Sequence, residues 1–469
     1  MLPPCSAFWR EVPVLPEKFQ EYLHTVEEQI CWARAKAPLT TELRTHLLEQ
    51  YDDCRSQGLD EDAALDETLR QMGDPIAVGQ ELDRVHRPQP QWGLLCLTGV
   101  LVVAGSILRA YLTTDAGMPY LAGSALSENL TAAILGIACM FSLYFLDYGL
   151  LGRYAKPIYF GTLFLSLVSL DCSPYINNAS YSTRYMVLCF PVVYALWVYS
   201  LRGKGWSGLV WALIGGVPLI VIALCTPYLL GCFLLLLSDF AVLLAAIWKG
   251  SFRVDRKIAA GAVSGFALAA AGGVCWASRR TIHNRLLYML HPELDPLGSG
   301  YQALVLREAL AGAQSWGEGT LSGPRAGYDY WRVVPEGDTD CFLTTVIYHL
   351  GWVPFFLLCG ALLLLLVWAL VKCLRQKNVL GRLLSIAILL TFGLQFAASV
   401  LLNLGFVFTS ATCPFLIGNL HTVLDMALVG IMLSVFRQEH LPTASLTQLP
   451  SRPAKWPRYT ISVSIKRVE

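Results

Sequence analysis

The chain has 469 residues, of which 55% are hydrophobic and only 15% charged, with a mean hydropathy of +0.50. Soluble domains carry roughly 25% charged residues, so composition argues against a water-soluble globule. A formal net charge of +1 offers no basic field, which argues against nucleic acid as a partner and leaves the distribution of charge along the chain as the informative quantity.

Residues Met1 to Val14 lack a basic stretch followed by an apolar core and a small-residue cleavage site, so no signal peptide is expected and insertion must rely on the spans themselves. From Glu17 to His86 the sequence is charged and periodic. Val26, Ile30, Leu43, Leu47, Leu48, Tyr51, Ala64, Leu65, Leu69, Ile76, Val78 and Leu82 are the candidate core of a compact bundle of short helices. Thr40 or Thr41 can cap its second helix, Gly58 can end it, and Asp74-Pro75 supplies an N-cap followed by proline at the first helical position. Arg87-Pro88-Gln89-Pro90-Gln91 reads as a short stiff linker. Residues 1–91 are therefore expected to form a cytoplasmic helical module with its linker.

Apolar runs then recur at Gly93–Tyr111, Leu130–Leu150, Ile158–Leu170, Tyr185–Leu201, Leu209–Cys225, Tyr228–Trp248, Ile258–Ala277, Cys341–Val371, Leu383–Leu402 and Pro414–Phe436. Each is long enough, or nearly so, for the ~20 residues of a spanning helix, the third being the shortest. The chain has fourteen cysteines. Cys96, Cys139, Cys189, Cys232, Cys275 and Cys359 fall inside these runs, where cysteine acts as a small buried hydrophobe, and no CxxC pair or Cys/His spacing offers a metal site. The expected fold is all-α: a polytopic membrane domain of about ten helices over residues 92–437, behind a small soluble helical bundle, with residues 438–469 as a cytoplasmic tail.

Basic residues predict the orientation, because Lys and Arg in short loops stay on the cytoplasmic side. Arg153 and Lys156 follow the second run, Arg202 and Lys204 the fourth, Lys249, Arg253, Arg256 and Lys257 the sixth, and Lys372, Arg375, Lys377 and Arg382 the eighth. Every second loop is basic. Both termini should then lie in the cytoplasm, with the long segment 278–340 facing outward.

That segment holds Trp316, Tyr328, Tyr330 and Trp331 and ends in Val333-Val334-Pro335-Glu336-Gly337-Asp338-Thr339-Asp340, so an ordered structure is expected there. Asp340 falls where the segment meets the eighth run, a carboxylate half removed from water at the outer boundary. Partial desolvation makes a carboxylate a better base near neutral pH. Asp338, Thr339 or Asp340 could equally cap the following helix. Inside the runs, Asp147, Asp239 and Asp425 are costly to bury and so of interest, Asp425 standing one helical turn after His421. His349 is placed two turns into the eighth span as a bundle histidine.

The pattern Asn284-Arg285-Leu286, Pro292, Asp295-Pro296, Gly298, Gly300-Tyr301-Gln302, Gly317-Glu318-Gly319, Val334-Pro335-Glu336, Thr339-Asp340 and Gly351 resembles the large extracytoplasmic loop of the SEDS proteins, the FtsW/RodA/SpoVE family. Gln395, Asn403 and Pro414-Phe415 extend the resemblance, which covers Trp92 to Arg437. The chain departs from the family pattern at Tyr348-His349, where a second acidic pair is usual, at Ile417 to His421, at Pro227 to Gly231, and in the Gln-Pro-Ser-Glu signature, whose place Pro191 marks. The front module resembles a small cytoplasmic domain fused to some membrane proteins of Gram-positive bacteria.

The resemblance implies a peptidoglycan glycosyltransferase that polymerises lipid II, in division, elongation or sporulation, beside a class B penicillin-binding protein transpeptidase and membrane lipids. It implies Asp340 as the catalytic base, and Arg285, Gln302, Glu336, Thr339, Gln395 and Asn403 as contributors to the substrate site. Arg279, Arg280, Arg285, Arg307, Arg325 or Arg332 could supply positive charge to the leaving pyrophosphate. No carboxylate cage for a dedicated metal is visible, although a divalent cation such as Mg²⁺ could assist the pyrophosphate. Two other uses fit the same residues: a lipid-linked precursor flippase, and a catalytically silent scaffold recruited through residues 17–86.

Overall fold

The structure is a computed structural model that describes residues 15–115, 119–173, 175–176, 179–321, 323–416 and 420–439. The stretch 1–14, the departure at 417–419 and the tail beyond 439 lie outside the described residues. The chain divides into two compact units, 1–89 with 438–469, and 90–437.

In the first unit four helices form: α1 (Glu17–Gln29), α2 (Ala33–Ser56), α3 (Glu61–Met72) and α4 (Pro75–His86). Their core is Phe19, Tyr22, Val26, Ile30, Leu39, Leu47 and Leu65, with Leu43, Leu48, Tyr51, Leu69 and Leu82 packed against it. Phe19 meets Tyr51 edge to face at 5.8 Å. Of the expected core, Ile76 is instead exposed, and Phe19 and Tyr22 are the aromatic anchors that the periodicity did not single out. Gly79 is buried where α4 crosses α1, since a Cβ there would stand 2.7 Å from Gln29 Cβ.

The caps divide in the same way. Asp74 accepts from Ala77 N at 3.2 Å with Pro75 in the first helical position, and Gly58, at φ +88°, follows the end of α2. Thr40 and Thr41 cap nothing. The run Ala33-Arg34-Ala35-Lys36-Ala37 is a strong helix former, α2 starts there, and both hydroxyls bond back into the helix, to Lys36 O and Ala37 O. Asp74→Ala should destabilise α4 by about 1 kcal/mol, read as faster hydrogen exchange of its amides in the full chain.

The second unit is almost wholly helical. α5 (Trp92–Asp115), α6 (Pro119–Phe145), α7 (Tyr148–Arg153) and α8 (Ala155–Cys172) precede a two-residue hairpin, β1 (Tyr175–Ile176) with β2 (Ala179–Ser180), antiparallel with Tyr175 opposite Ser180. Then come α9 (Tyr181–Val187), α10 (Phe190–Ser200), α11 (Gly205–Cys225), α12 (Leu229–Trp248) and α13 (Arg256–Ala277). Among the described residues, six helices are long and apolar enough to cross a bilayer: α5, α11, α12, α13, and the later α18 (Trp352–Arg375) and α19 (Val379–Asn403). Large apolar side chains point outward as well as inward, Leu268 and Trp276 on α13 and Phe356 and Leu357 on α18 being mostly exposed. Helices apolar all round belong in lipid, and the protein is a multi-pass membrane protein.

Three runs are broken. The second, Leu130–Leu150, leaves α6 after Phe145 and resumes as α7 behind its cap Asp147. The fourth splits into α9 and α10 just before Pro191, which cannot donate to the preceding turn. The eighth, expected as one span from Cys341 to Val371, is α17 (Phe342–Leu350) followed by α18. Gly351 between them has φ +101°, and a Cβ there would stand 2.7 Å from Ser315 O. The first amides of α18, Trp352 N and Val353 N, donate to Gln314 O and Ser315 O, so the long segment itself caps that span.

The helix ends gather in two places. Gly203 N bonds to Ser251 O, Gln376 Nε2 to Val435 O, and Ser434 Oγ to Leu146 O, which joins the basic turns at one end. Asp147 lies there, capping α7 through Gly149 N. The other ends of α5 and α19 and the start of α12 meet the long segment, and a 20-residue helix such as α12 puts about 30 Å between the two ends.

Candidate functional site

Between α13 and α18 the chain builds a small folded cap from α14 (Arg279–Leu290), α15 (Tyr301–Ala311), α16 (Tyr330–Val333) and α17. Its core is Val305, Leu306, Ala309, Leu321, Tyr330, Val333, Val334, Cys341 and Tyr348, with Leu402 of α19. Tyr330 stacks on Tyr348 at 4.4 Å, and Trp331 on His349 at 5.8 Å. His349 is therefore a cap residue, 3.5 Å from Glu318, rather than one deep in a span. The Asp295 turn closes through Ser299 N, and Gly300 fits because a Cβ there would lie 2.1 Å from Pro292 O.

This cap fixes the Pro335 to Asp340 strand of loop. Glu336 takes a left-handed φ of +53°, and its carbonyl accepts from Thr339 N and Cys341 N. Thr345 Oγ1, held by Tyr330 OH, donates to Gly337 O at 2.6 Å. The side chain of Asn403, at the end of α19, makes four bonds. Its Nδ2 donates to Asp340 O and Ser399 O, and its Oδ1 accepts from Thr344 N and Thr344 Oγ1. Asn403 thus caps α17 from outside.

The capping alternative for the acidic motif fails on this geometry. Asp338 pairs with Arg109 of α5 at 2.8 Å, and the Thr339 hydroxyl turns back to Glu336 O. Asp340 turns its carboxylate away from α17: Thr412 Oγ1 donates to Oδ1 at 2.6 Å, and Ser410 Oγ donates to Oδ2. At 3% exposed, Asp340 is a buried carboxylate held by two hydroxyls.

Asp340 forms part of the wall of a cavity of about 350 Å³ with Arg184, Tyr228, Arg285, Gln302, Glu336 and Ser410. Arg285 donates to Phe408 O at 3.0 Å, and burial pushes its guanidinium below the ordinary arginine value. Gln302 reaches Cys341 Sγ at 3.2 Å. Of the expected substrate residues, the structure brings Arg285, Gln302 and Glu336 together around Asp340. Thr339, Gln395 and Asn403 do not line the cavity. Gln395 lies deeper in the bundle, its Oε1 3.1 Å from His421 Nε2, while His421 Nδ1 stands 3.3 Å from Asp425 Oδ2.

The other expected arginines are also accounted for. Arg307 donates to Met289 O and Gly405 O, Arg325 pairs with Glu308 at 2.7 Å, Arg332 lies 3.8 Å from Asp329, Arg279 sits over Trp276, and Arg280 is exposed on α14. Sequence reasoning missed Arg184, Ser410 and Thr412. For Arg184 there was a signal: it is an arginine at an end of the bundle where the short connections carry almost no Lys or Arg. The two hydroxyls gave none.

No protein-family model matches the chain. It is 23% identical over 359 residues to the probable peptidoglycan glycosyltransferase FtsW of Geobacter sp. (strain M18), covering 73% of this chain and 93% of that protein. It is 28% identical over 123 residues to the peptidoglycan glycosyltransferase MrdB of Escherichia coli (strain K12), 26% of this chain and 31% of that protein. Its fold is similar to that of a chain from a solved peptidoglycan synthase complex that coordinates polymerization and crosslinking, with TM-score 0.57, 21% identity, and coverage of 75% of this chain and 98% of that one. Over most of the membrane unit the chain is thus similar in sequence to the FtsW and MrdB glycosyltransferases of the SEDS family, and in fold to a chain of that synthase complex.

Proposed function

We propose that this protein is a peptidoglycan glycosyltransferase that polymerises lipid II at the outer face of the bacterial cytoplasmic membrane. The observation that carries the reading is Asp340, buried in a cavity with Arg285, Gln302 and Glu336 at the end of the bundle away from the basic turns. By the retention of Lys and Arg in the cytoplasm, that end faces outward and both termini inward. Lipid II presents its sugar at the same boundary.

In the reaction, the 4-hydroxyl oxygen of one sugar attacks the anomeric carbon of a second. The bond from that carbon to the phosphate oxygen breaks with its electron pair, which leaves on undecaprenyl diphosphate, and the hydroxyl proton passes to the Asp340 carboxylate. General-base assistance of this kind is worth ~10²–10⁴-fold. Arg285 faces the negative charge that develops on the leaving group. Among the described residues no group of three or more His, Cys, Asp or Glu could hold a metal ion. Any Mg²⁺ would ride mainly on the substrate phosphates, with Asp340 and Glu336 as the carboxylates at hand.

A class B penicillin-binding protein transpeptidase is the proposed membrane partner, in division, elongation or sporulation. Purified protein given lipid II, alone and with that partner, should yield uncrosslinked glycan on a gel. Lipid movement between leaflets without polymer would replace this reading with a flippase. An intact complex with neither activity would replace it with a scaffold.

A further inference from the structure

We infer that Asp239 marks a second binding pocket, between α11, α12 and α13, that takes the hydroxyl head of a membrane-soluble long-chain alcohol. The site does not depend on the polymerase reading. Asp239 stands near the middle of α12, about 15 Å further along the helix axis than Leu229, which lines the Asp340 cavity. Among the described residues none lines both cavities.

The carboxyl is the polar feature of an otherwise apolar site. Asp239 is 7% exposed, and neither of its oxygens has a hydrogen-bond partner among the described residues. Of the lining side chains only Tyr194 carries a donor, and its hydroxyl donates to Ala212 O at 3.2 Å. Gly216 of α11 makes room for the carboxyl, since a Cβ there would stand 3.2 Å from Oδ2. A buried polar group without a partner is costly, most of all at membrane depth, so the site favours any occupant that brings a donor to it.

Size and depth select the donor. The cavity holds about 30 Å³, room for one or two water-sized groups beside the carboxyl, so a hydroxyl enters where a sugar or a phosphate does not. A hydroxyl donates to a carboxyl oxygen without bringing a second charge to the middle of a bilayer, where an ammonium is costly. Leu213, Ile220, Leu236 and Phe266 on the walls suit an alkyl body. On the lipid side α13 closes the pocket loosely: only Ala259, Val263 and Val274 of this helix are buried, and Phe266 beside the pocket is exposed. An alkyl chain leaving past Phe266 therefore reaches lipid without crossing the bundle.

The test uses the full-length protein in nanodiscs of phosphatidylcholine, a lipid without a hydroxyl. Dicyclohexylcarbodiimide, which dissolves in lipid, should label Asp239. A carboxyl oxygen bonds the carbodiimide's central carbon, the carboxyl proton passes to one nitrogen, and the acyl group then shifts to the other nitrogen, leaving an N-acylurea that peptide mass spectrometry locates. Hexadecanol should slow this labelling ~10-fold and hexadecane at the same concentration should not, the difference being one hydrogen bond to a buried group. A hexadecanol carrying a diazirine on its alkyl chain should crosslink to α12 or α13 in the parent and in Asp239→Asn, which keeps an acceptor. In Asp239→Leu, which keeps the volume without one, crosslinking should fall ~10-fold. An unlabelled Asp239 would overturn the inference, as would equal labelling rates with hexadecanol and hexadecane, or equal crosslinking in Asp239→Asn and Asp239→Leu.

Discussion

Asp340→Asn should abolish glycan synthesis from lipid II, lowering the rate by ~10²–10⁴-fold, while the protein still inserts and unfolds at the parent temperature. The amide has the shape of the carboxylate but cannot take the hydroxyl proton. The fold should tolerate it because the backbone of this residue is fixed independently of its side chain: Asn403 Nδ2 holds Asp340 O, and Thr345 holds the turn at Gly337 O. One local cost is expected, since the hydroxyls of Ser410 and Thr412 both donate to Asp340 and one of them must rotate to accept from the new amide. Glycan made at the parent rate by the Asn variant would remove Asp340 from the chemistry. A strain that depends on the protein separates the readings further. Growth restored by Asp340→Asn would mean that the chain serves as a scaffold, whatever the parent does in a tube.

What the sequence makes legible here is whatever is local. Asp74-Pro75, Gly58 and the aromatic content of the long segment all act within a few residues of themselves, and each appears in the structure where the pattern puts it. Most of the misread features are non-local, Thr40 and Thr41 being the exception. Thr40 and Thr41 look like caps until the preceding alanine-rich run extends the helix past them. The eighth run reads as one long span because apolarity is continuous through it, but a close approach between Gly351 and the carbonyl of Ser315 ends the first helix and begins the second. The candidate base could be picked out from its motif, and its neighbours Arg285, Gln302 and Glu336 from the same stretch of chain. Ser410, Thr412 and Arg184 reach it from sequence separations of 70 residues or more, and no spacing rule connects them to it.

The Arg109–Asp338 pair should be the most consequential contact for stability in this half of the molecule. Arg109 is 5% exposed on α5; its NH2 donates to Asp338 Oδ2 at 2.8 Å and its NH1 to Asn129 Oδ1 on α6. A guanidinium buried at the end of a membrane helix stays charged, so removing its carboxylate leaves the charge without a counterpart. Asp338→Ala should therefore destabilise the protein by about 1–2 kcal/mol, below the range for breaking a fully buried pair, because the Asp338 side chain is 41% exposed and Asn129 still accepts. The double variant Arg109→Leu with Asp338→Leu should recover most of that loss, since the buried guanidinium is removed together with its partner; thermal unfolding in detergent reads both. Activity should not recover with it. Asp338 is two residues from Asp340 on a turn that this pair ties to the first two membrane helices, and a displacement of ~1 Å at a reacting centre can cost ~10²-fold. A double variant as stable as the parent and fully active would show that the cap positions its carboxylate without help from α5. One that is stable and slow would show that the first helix sets the position of the base.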